Sequence, residues 1–151
     1  MKKSIYYINT LALAILVSLA SCGDPEVFGC MDPDSDNFDG LANMDDGSCA
    51  FSGQVVFWYG EAASQFLVDD EAISLTYYVD GEIVGSGAAD VYWNSSVAPD
   101  CGEQGTVTVS KDLGSAKSLT LPFYVEDQTG HQYYSGNVTF DANTCLALEL
   151  N

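Results

Sequence analysis

Ile73-Ser74-Leu75-Thr76-Tyr77-Tyr78-Val79-Asp80-Gly81-Glu82-Ile83-Val84-Gly85 reads as two strands joined by a tight turn. Ile73, Leu75, Tyr77 and Val79 fall on one side of an extended chain and Ser74, Thr76 and Tyr78 on the other, because successive side chains of a strand point to opposite faces. Asp80-Gly81 then interrupts the run. Asp-Gly accepts the two left-handed φ values of a two-residue hairpin turn, and the β-rich pattern resumes at Glu82. On its N-terminal side, residues 54–59 (Gln-Val-Val-Phe-Trp-Tyr) are bounded by Gly53 and Gly60 and read as a strand. Val91-Tyr92-Trp93 is a shorter candidate. Thr106-Val107-Thr108-Val109 and Ser118-Leu119-Thr120-Leu121 alternate cleanly. Pro122 has no N–H to donate, so its strand is expected at a sheet edge or with a bulge at that point. Residues 123–125 continue to the turn Asp127-Gln128-Thr129-Gly130, residues 132–140 form the next strand, and Leu146, Leu148 and Leu150 share one face of the last. About seven short strands with no helical period after the first twenty residues predict an all-β fold. The expectation is a small antiparallel β-sandwich over residues 52–151.

The charge distribution excludes whole classes of partner. All twenty-two Asp and Glu residues follow position 22, whereas Lys2 and Lys3 precede it and arginine is absent. Beyond position 22 the chain carries only Lys111 and Lys117 against those carboxylates, a formal charge of −20. Nucleic-acid binding depends on Lys and Arg displacing counterions from phosphates, so no nucleic-acid partner is expected. Attraction to anionic headgroups is excluded on the same ground.

The first twenty-one residues have the three parts of an export signal: Lys2 and Lys3, an apolar stretch over residues 11–17, and a small-residue ending. The apolar run is shorter than the ~20 residues a spanning helix needs. The ending Leu19-Ala20-Ser21-Cys22 resembles the lipobox of bacterial lipoproteins. That resemblance implies a diacylglycerol thioether on the Cys22 sulfur and cleavage before it, leaving residues 22–28 as a lipidated tether. The implied location is the cell envelope, with the chain anchored by lipid to the outer or inner membrane rather than spanning it.

With Cys22 carrying lipid, Cys30, Cys49, Cys101 and Cys145 remain, an even number in an exported chain. They read as two disulfides with three possible connectivities. Cys30 with Cys49 closes a short Gly- and Asp-rich loop, and Cys101 with Cys145 ties a loop to the last strand. Zinc is the competing use of four cysteines, but there is no CxxC pair and His131 is the only histidine.

Between the first two of these cysteines lies the most distinctive stretch, residues 29–51: Gly-Cys-Met-Asp-Pro-Asp-Ser-Asp-Asn-Phe-Asp-Gly-Leu-Ala-Asn-Met-Asp-Asp-Gly-Ser-Cys-Ala-Phe. It resembles a short module of exported Bacteroidetes proteins, Gly-Cys-x-Asp-Pro, then Asn-aromatic (here Phe38), then Ala (Ala42), then Asp-Asp-Gly-Ser-Cys. It is crowded with turn formers and has too few large apolar residues for a core. Asp32, Asp34, Asp36, Asp39, Asp45 and Asp46 crowd six carboxylates with no basic residue in the loop. Asp32, Asp34 and Asp36 alternate as oxygen ligands do at the start of calcium loops, although the Gly and bidentate Glu of an EF-hand are missing. Two readings stand: a calcium site, or a solvated acidic spacer between lipid and domain.

The residue 79–85 hairpin resembles that of PEGA domains. The whole body is similar to small Bacteroidetes lipoprotein domains that open Gly-x-Val-x-Phe-Trp, here Gly53, Val55, Phe57 and Trp58, and end Cys-Leu-x-Leu, here Cys145, Leu146 and Leu148. No activity travels with either resemblance. There is no Gly-x-Ser-x-Gly elbow, phosphate loop or His-Glu-x-x-His, and His131 beside a turn glycine reads as a surface residue. The aromatics are the better clue. Trp58-Tyr59, Tyr77-Tyr78, Tyr92-Trp93 and Tyr133-Tyr134 are adjacent pairs, so one member of each is expected to face outward. Trp58, Tyr78, Trp93 and Tyr134 are the binding candidates, for stacking on a glycan or anchoring an envelope protein. Ordinary cross-strand aromatic packing is the competing account. The functional expectation is a non-catalytic, membrane-anchored binding module. The alternatives are an accessory or spacer subunit of an envelope complex and, more distantly, a small carbohydrate-active enzyme.

Overall fold

The computed structural model describes residues 23–151; the leader and Cys22 lie outside the described residues. The elements in chain order are β1 (Phe28–Gly29), β2 (Met44–Asp45), β3 (Phe51–Trp58), α1 (Glu61–Asp69), β4 (Ser74–Val79) and β5 (Glu82–Ala88). They continue with β6 (Val107–Gly114), β7 (Ser118–Asp127), β8 (Gln132–Asp141) and β9 (Cys145–Glu149). Strands β3 to β9 build the sandwich, a three-stranded sheet ordered β6-β3-β9 facing a four-stranded sheet ordered β5-β4-β7-β8. The all-β class and the two-sheet architecture are as the sequence predicts.

Alternation decides which faces meet. Val55 and Phe57 of β3, Leu75, Tyr77 and Val79 of β4, and Phe123 and Val125 of β7 are buried against Val138 and Phe140 of β8. Phe57 sits at the centre, its ring 5.3 Å from that of Phe123 and 5.8 Å from that of Tyr77. The founding hairpin forms as read. Val79 pairs with Glu82, and Asp80 and Gly81 take φ values of 55° and 79°. A bulge between Tyr77 and Tyr78 then shifts the β4–β5 register.

Four expectations are corrected. First, the sandwich is not wholly antiparallel, because β9 pairs parallel to β3, from Gln54↔Cys145 to Trp58↔Glu149. The cause is the turn at residues 142–144, which carries the chain from one sheet to the other. Asn143 N–H donates to Ser52 O and Gln54 N–H to Thr144 O, so β9 enters beside the start of β3 and runs in its direction. That crossing is why residue 53 is glycine: a Cβ there would sit 2.5 Å from the Asp141 carbonyl oxygen.

Second, residues 61–69 form a helix. It buries only Ser64 and Leu67 and leaves Phe66 and Val68 exposed, so its apolar residues do not follow a 3.6 period. It is fixed by Leu67 in the core and by the Ser64 hydroxyl donating to Ala89 O at 2.8 Å. Third, residues 91–93 are not a strand but part of the connection from β5 to β6, although Trp93 N–H donates to Tyr59 O.

Fourth, Pro122 lies in an internal strand, and the bulge in β7–β8 falls at Val125/Glu126 instead. The chemistry behind the expectation still holds locally. Pro122 O accepts from Asp80 N–H, so its donorless nitrogen faces the β4–β5 turn, just beyond the last β4 pair, Val79↔Phe123. The ladder to β8 loses nothing.

Candidate functional site

The acidic module is closed by the Cys30–Cys49 disulfide, and Cys101 joins Cys145, the two pairings of the connectivity that tie local loop and last strand. Five of the six calcium candidates use a carboxylate oxygen to hold the backbone or a neighbouring side chain. Asp32, Asp39, Asp45 and Asp46 each accept at Oδ1 from the N–H two residues on, of Asp34, Leu41, Gly47 and Ser48. Asp36 Oδ1 accepts from the Ser52 hydroxyl. The positive charge missing from the loop arrives from the body: Lys117 Nζ lies 2.6 Å from Asp32 Oδ2 and 3.2 Å from Asp34 Oδ2, above the Phe51 ring. The Lys117 hydrogen bond, with the Asp34 N–H, holds the Asp32 carboxyl below its ordinary range. Asp46 is lowered likewise by the Ser48 hydroxyl and N–H. Among the described residues, no three His, Cys, Asp or Glu side chains gather as a group able to hold a metal. Asp32, Asp39, Asp45 and Asp46 thus cap turns, whereas Asp36 meets the Ser52 hydroxyl and Asp34 meets Lys117.

The four aromatic candidates separate. Tyr78 and Tyr124 are register partners of β4 and β7, with rings stacked 4.4 Å apart and 9° from parallel. The Tyr78 hydroxyl donates to Glu126 Oε1 at 2.7 Å, which raises its pKa. That is cross-strand packing. Tyr134, opposite Val125, packs against the core, and burial pushes its phenol up. His131 is exposed in the β7–β8 turn, where its backbone N–H donates to Asp127 Oδ1 and its ring meets Tyr133 edge-on.

Trp58 and Trp93, by contrast, come together. They line one open hollow of about 400 Å³ with Tyr92, Glu61, Glu149, Ser95 and Ser96. Each part is placed for a local reason. Trp58 ends β3 and pairs in register with Glu149 of β9, so the two side chains rise from the same face of that sheet. Glu61 opens the helix that begins three residues later. Tyr92 and Trp93 belong to the β5–β6 connection, which the Trp93 N–H ties to the end of β3.

The Trp93 indole is braced from beyond. Its Nε1–H donates to Val97 O at 2.7 Å, and Val97 N–H in turn donates to Ser95 Oγ. Trp93 and Tyr92 also wall a second, neighbouring hollow with Gln104, so cavities adjoin Trp93 on more than one side. Further along, the Cys101–Cys145 bridge and the Gly102 N–H donating to Thr108 Oγ1 hold this connection to the outer side of the three-stranded sheet. Trp58 also borders a slot of about 290 Å³ between β5 and β6, with Tyr59 and Tyr77 in its wall. Both phenols are pushed up, first by burial; for Tyr59 the value reaches about 12. The Trp58 Nε1–H is buried and has no acceptor among the described residues.

Aromatic faces beside carboxylate and hydroxyl oxygens can stack on a sugar ring and accept from its hydroxyls. Glu61 and Glu149 were not singled out by sequence. The signal for Glu149 was its place opposite Leu148 and Leu150 in the last strand's alternation; Glu61 lay in the helix that patterning missed. No family model, curated protein or solved structure matches the chain.

Proposed function

We propose that this chain is an exported, lipid-anchored, non-catalytic module of the cell envelope that binds a glycan in the Trp58–Trp93 hollow. The observation that carries the binding reading is the convergence of Trp58, Tyr92 and Trp93, from two separate parts of the chain, on one open hollow bordered by Glu61 and Glu149. Supporting the address are the lipobox ending at Cys22 and two disulfides, which persist in oxidising compartments. The acidic module then serves as a closed spacer that Lys117 ties to the body.

The experiment takes the chain as the producing cell processes it, extracted from membranes in neutral detergent. Mass spectrometry of its first peptide is expected to show acylated Cys22 as the N-terminal residue. A glycan array is expected to retain the chain, and Trp93→Ala to weaken the best ligand at least about tenfold, roughly 1.4 kcal/mol of lost stacking. A cytosolic, unprocessed chain overturns the address. Failure to bind any glycan, or a Trp93→Ala affinity equal to that of the native chain, overturns the binding reading.

A further inference from the structure

We infer that the hollow selects oligosaccharides carrying a free, protonated amino group over neutral or acidic ones, an inference that rests on the glycan reading above. Glu61 and Glu149 both line the hollow, and no Lys, Arg or His does. The two cations downstream of Cys22 are committed elsewhere. Lys117 is paired with Asp32 and Asp34 in the acidic module. Lys111 pairs in register with Gly53, at the far end of β3 from Trp58 and, by alternation, on the opposite face of that sheet.

A uronic acid or phosphorylated sugar would therefore bring a negative charge to two carboxylates with no counter-charge in the wall. A neutral sugar would draw water from those carboxylates and return only hydroxyl donors. An ammonium group meets both kinds of wall favourably. Carboxylates attract it directly, and the faces of Trp58, Tyr92 and Trp93 present the negative side of their quadrupoles. The sugar ring supplies what a simple amine lacks, a flat C–H face to stack on an indole and oxygens able to accept hydrogen bonds.

The test compares three oligomers of one length on the detergent-extracted chain: β-1,4-linked glucosamine, its fully N-acetylated form, and β-1,4-linked glucose. Indole fluorescence and calorimetry read the affinity at about 0.02 M and about 1 M salt, where the screening length falls from ~20–30 Å to ~3 Å. The glucosamine oligomer is expected to bind at least about tenfold tighter than the other two in low salt, with the gap narrowing in high salt. In the double variant E61Q/E149Q, shown to be folded by an unchanged circular dichroism spectrum, the preference is expected to fall below about twofold. Trp93→Ala is expected to weaken all three.

Equal or tighter binding of a neutral oligomer by the native chain overturns the inference and leaves the glycan reading standing. So does an amine preference that survives E61Q/E149Q, because the bulk charge of the protein then produces it. Binding of none of the three by the native chain, where the array found another glycan, likewise overturns the amine preference alone.

Discussion

Replacing Cys101 and Cys145 together by serine separates the contribution of the long disulfide from that of the fold around it. The bridge spans 44 residues, from the β5–β6 connection to the first residue of β9. In the chain-entropy description, closing a loop of that length costs the unfolded chain about 13 cal/mol/K, so cutting it costs the folded protein about 4 kcal/mol at 25 °C. Cys145 is exposed and Cys101 half-buried, so little packing is lost with the sulfurs and the entropic term dominates. For a domain of this size, roughly 4 °C per kcal/mol puts the fall in Tm near 15 °C. Urea unfolding of the variant under non-reducing conditions should show that loss. It should also show a larger m-value, since the released chain exposes more surface when unfolded. The short bridge makes the control. Its separation of 19 residues gives about 3 kcal/mol by the same formula. Yet among residues 29–50 Cys30 is the only buried apolar side chain, while Met31, Phe38, Leu41 and Met44 are all exposed. The module therefore opens without the body, and C30S/C49S is expected to move the body's midpoint by less than about 1 kcal/mol. A long-bridge variant that loses under about 1 kcal/mol with an unchanged m-value would refute this account of where the stability resides.

Three further outcomes follow from particular contacts. Gly53→Ala drives a methyl into the Asp141 carbonyl, a backbone atom that no rotamer change can move aside, and should cost about 1–3 kcal/mol in urea unfolding. In alkali, Tyr59 is held neutral up to about 12 in the folded chain against about 10 when unfolded. Its stabilising effect is complete below pH 10 and is lost as pH rises from 10 to 12, so absorbance at 295 nm should show its ionisation, and that of Tyr77, coinciding with loss of tertiary circular dichroism. Lys117→Gln should bring the Asp32 carboxyl titration up toward 3.8, read by carbon NMR of its side chain, and leave Asp46, held by Ser48, unmoved.

How much of this was legible in the sequence depended on whether a feature is local. The β4–β5 hairpin was, because alternation plus Asp80-Gly81 states both strands and turn within thirteen residues. The parallel pairing of β9 with β3 was not. It is set by where the turn at residues 142–144 delivers the chain, and its only trace in the sequence is a glycine at position 53 whose reason lies ninety residues away. Helix α1 was invisible because one leucine and one serine suffice to seat it, too few to write a period.

The acidic loop turns on direction rather than spacing. The spacing of Asp32, Asp34 and Asp36 suggests a shared ligand, and in the fold Asp32 also caps a turn, Asp36 meets Ser52, and Lys117 bridges Asp32 and Asp34. Short-range capping and cation binding use the same residues in the same turns, and only the directions of the oxygens tell them apart. The aromatic hollow combines both lessons. Sequence nominated Trp58 and Trp93 alongside Tyr78 and Tyr134, and the sheets consume the last two in packing. What distinguishes the pair is a juxtaposition made by the end of β3, the brace at Val97 and the register of Glu149, none of which is encoded within any one window of the chain.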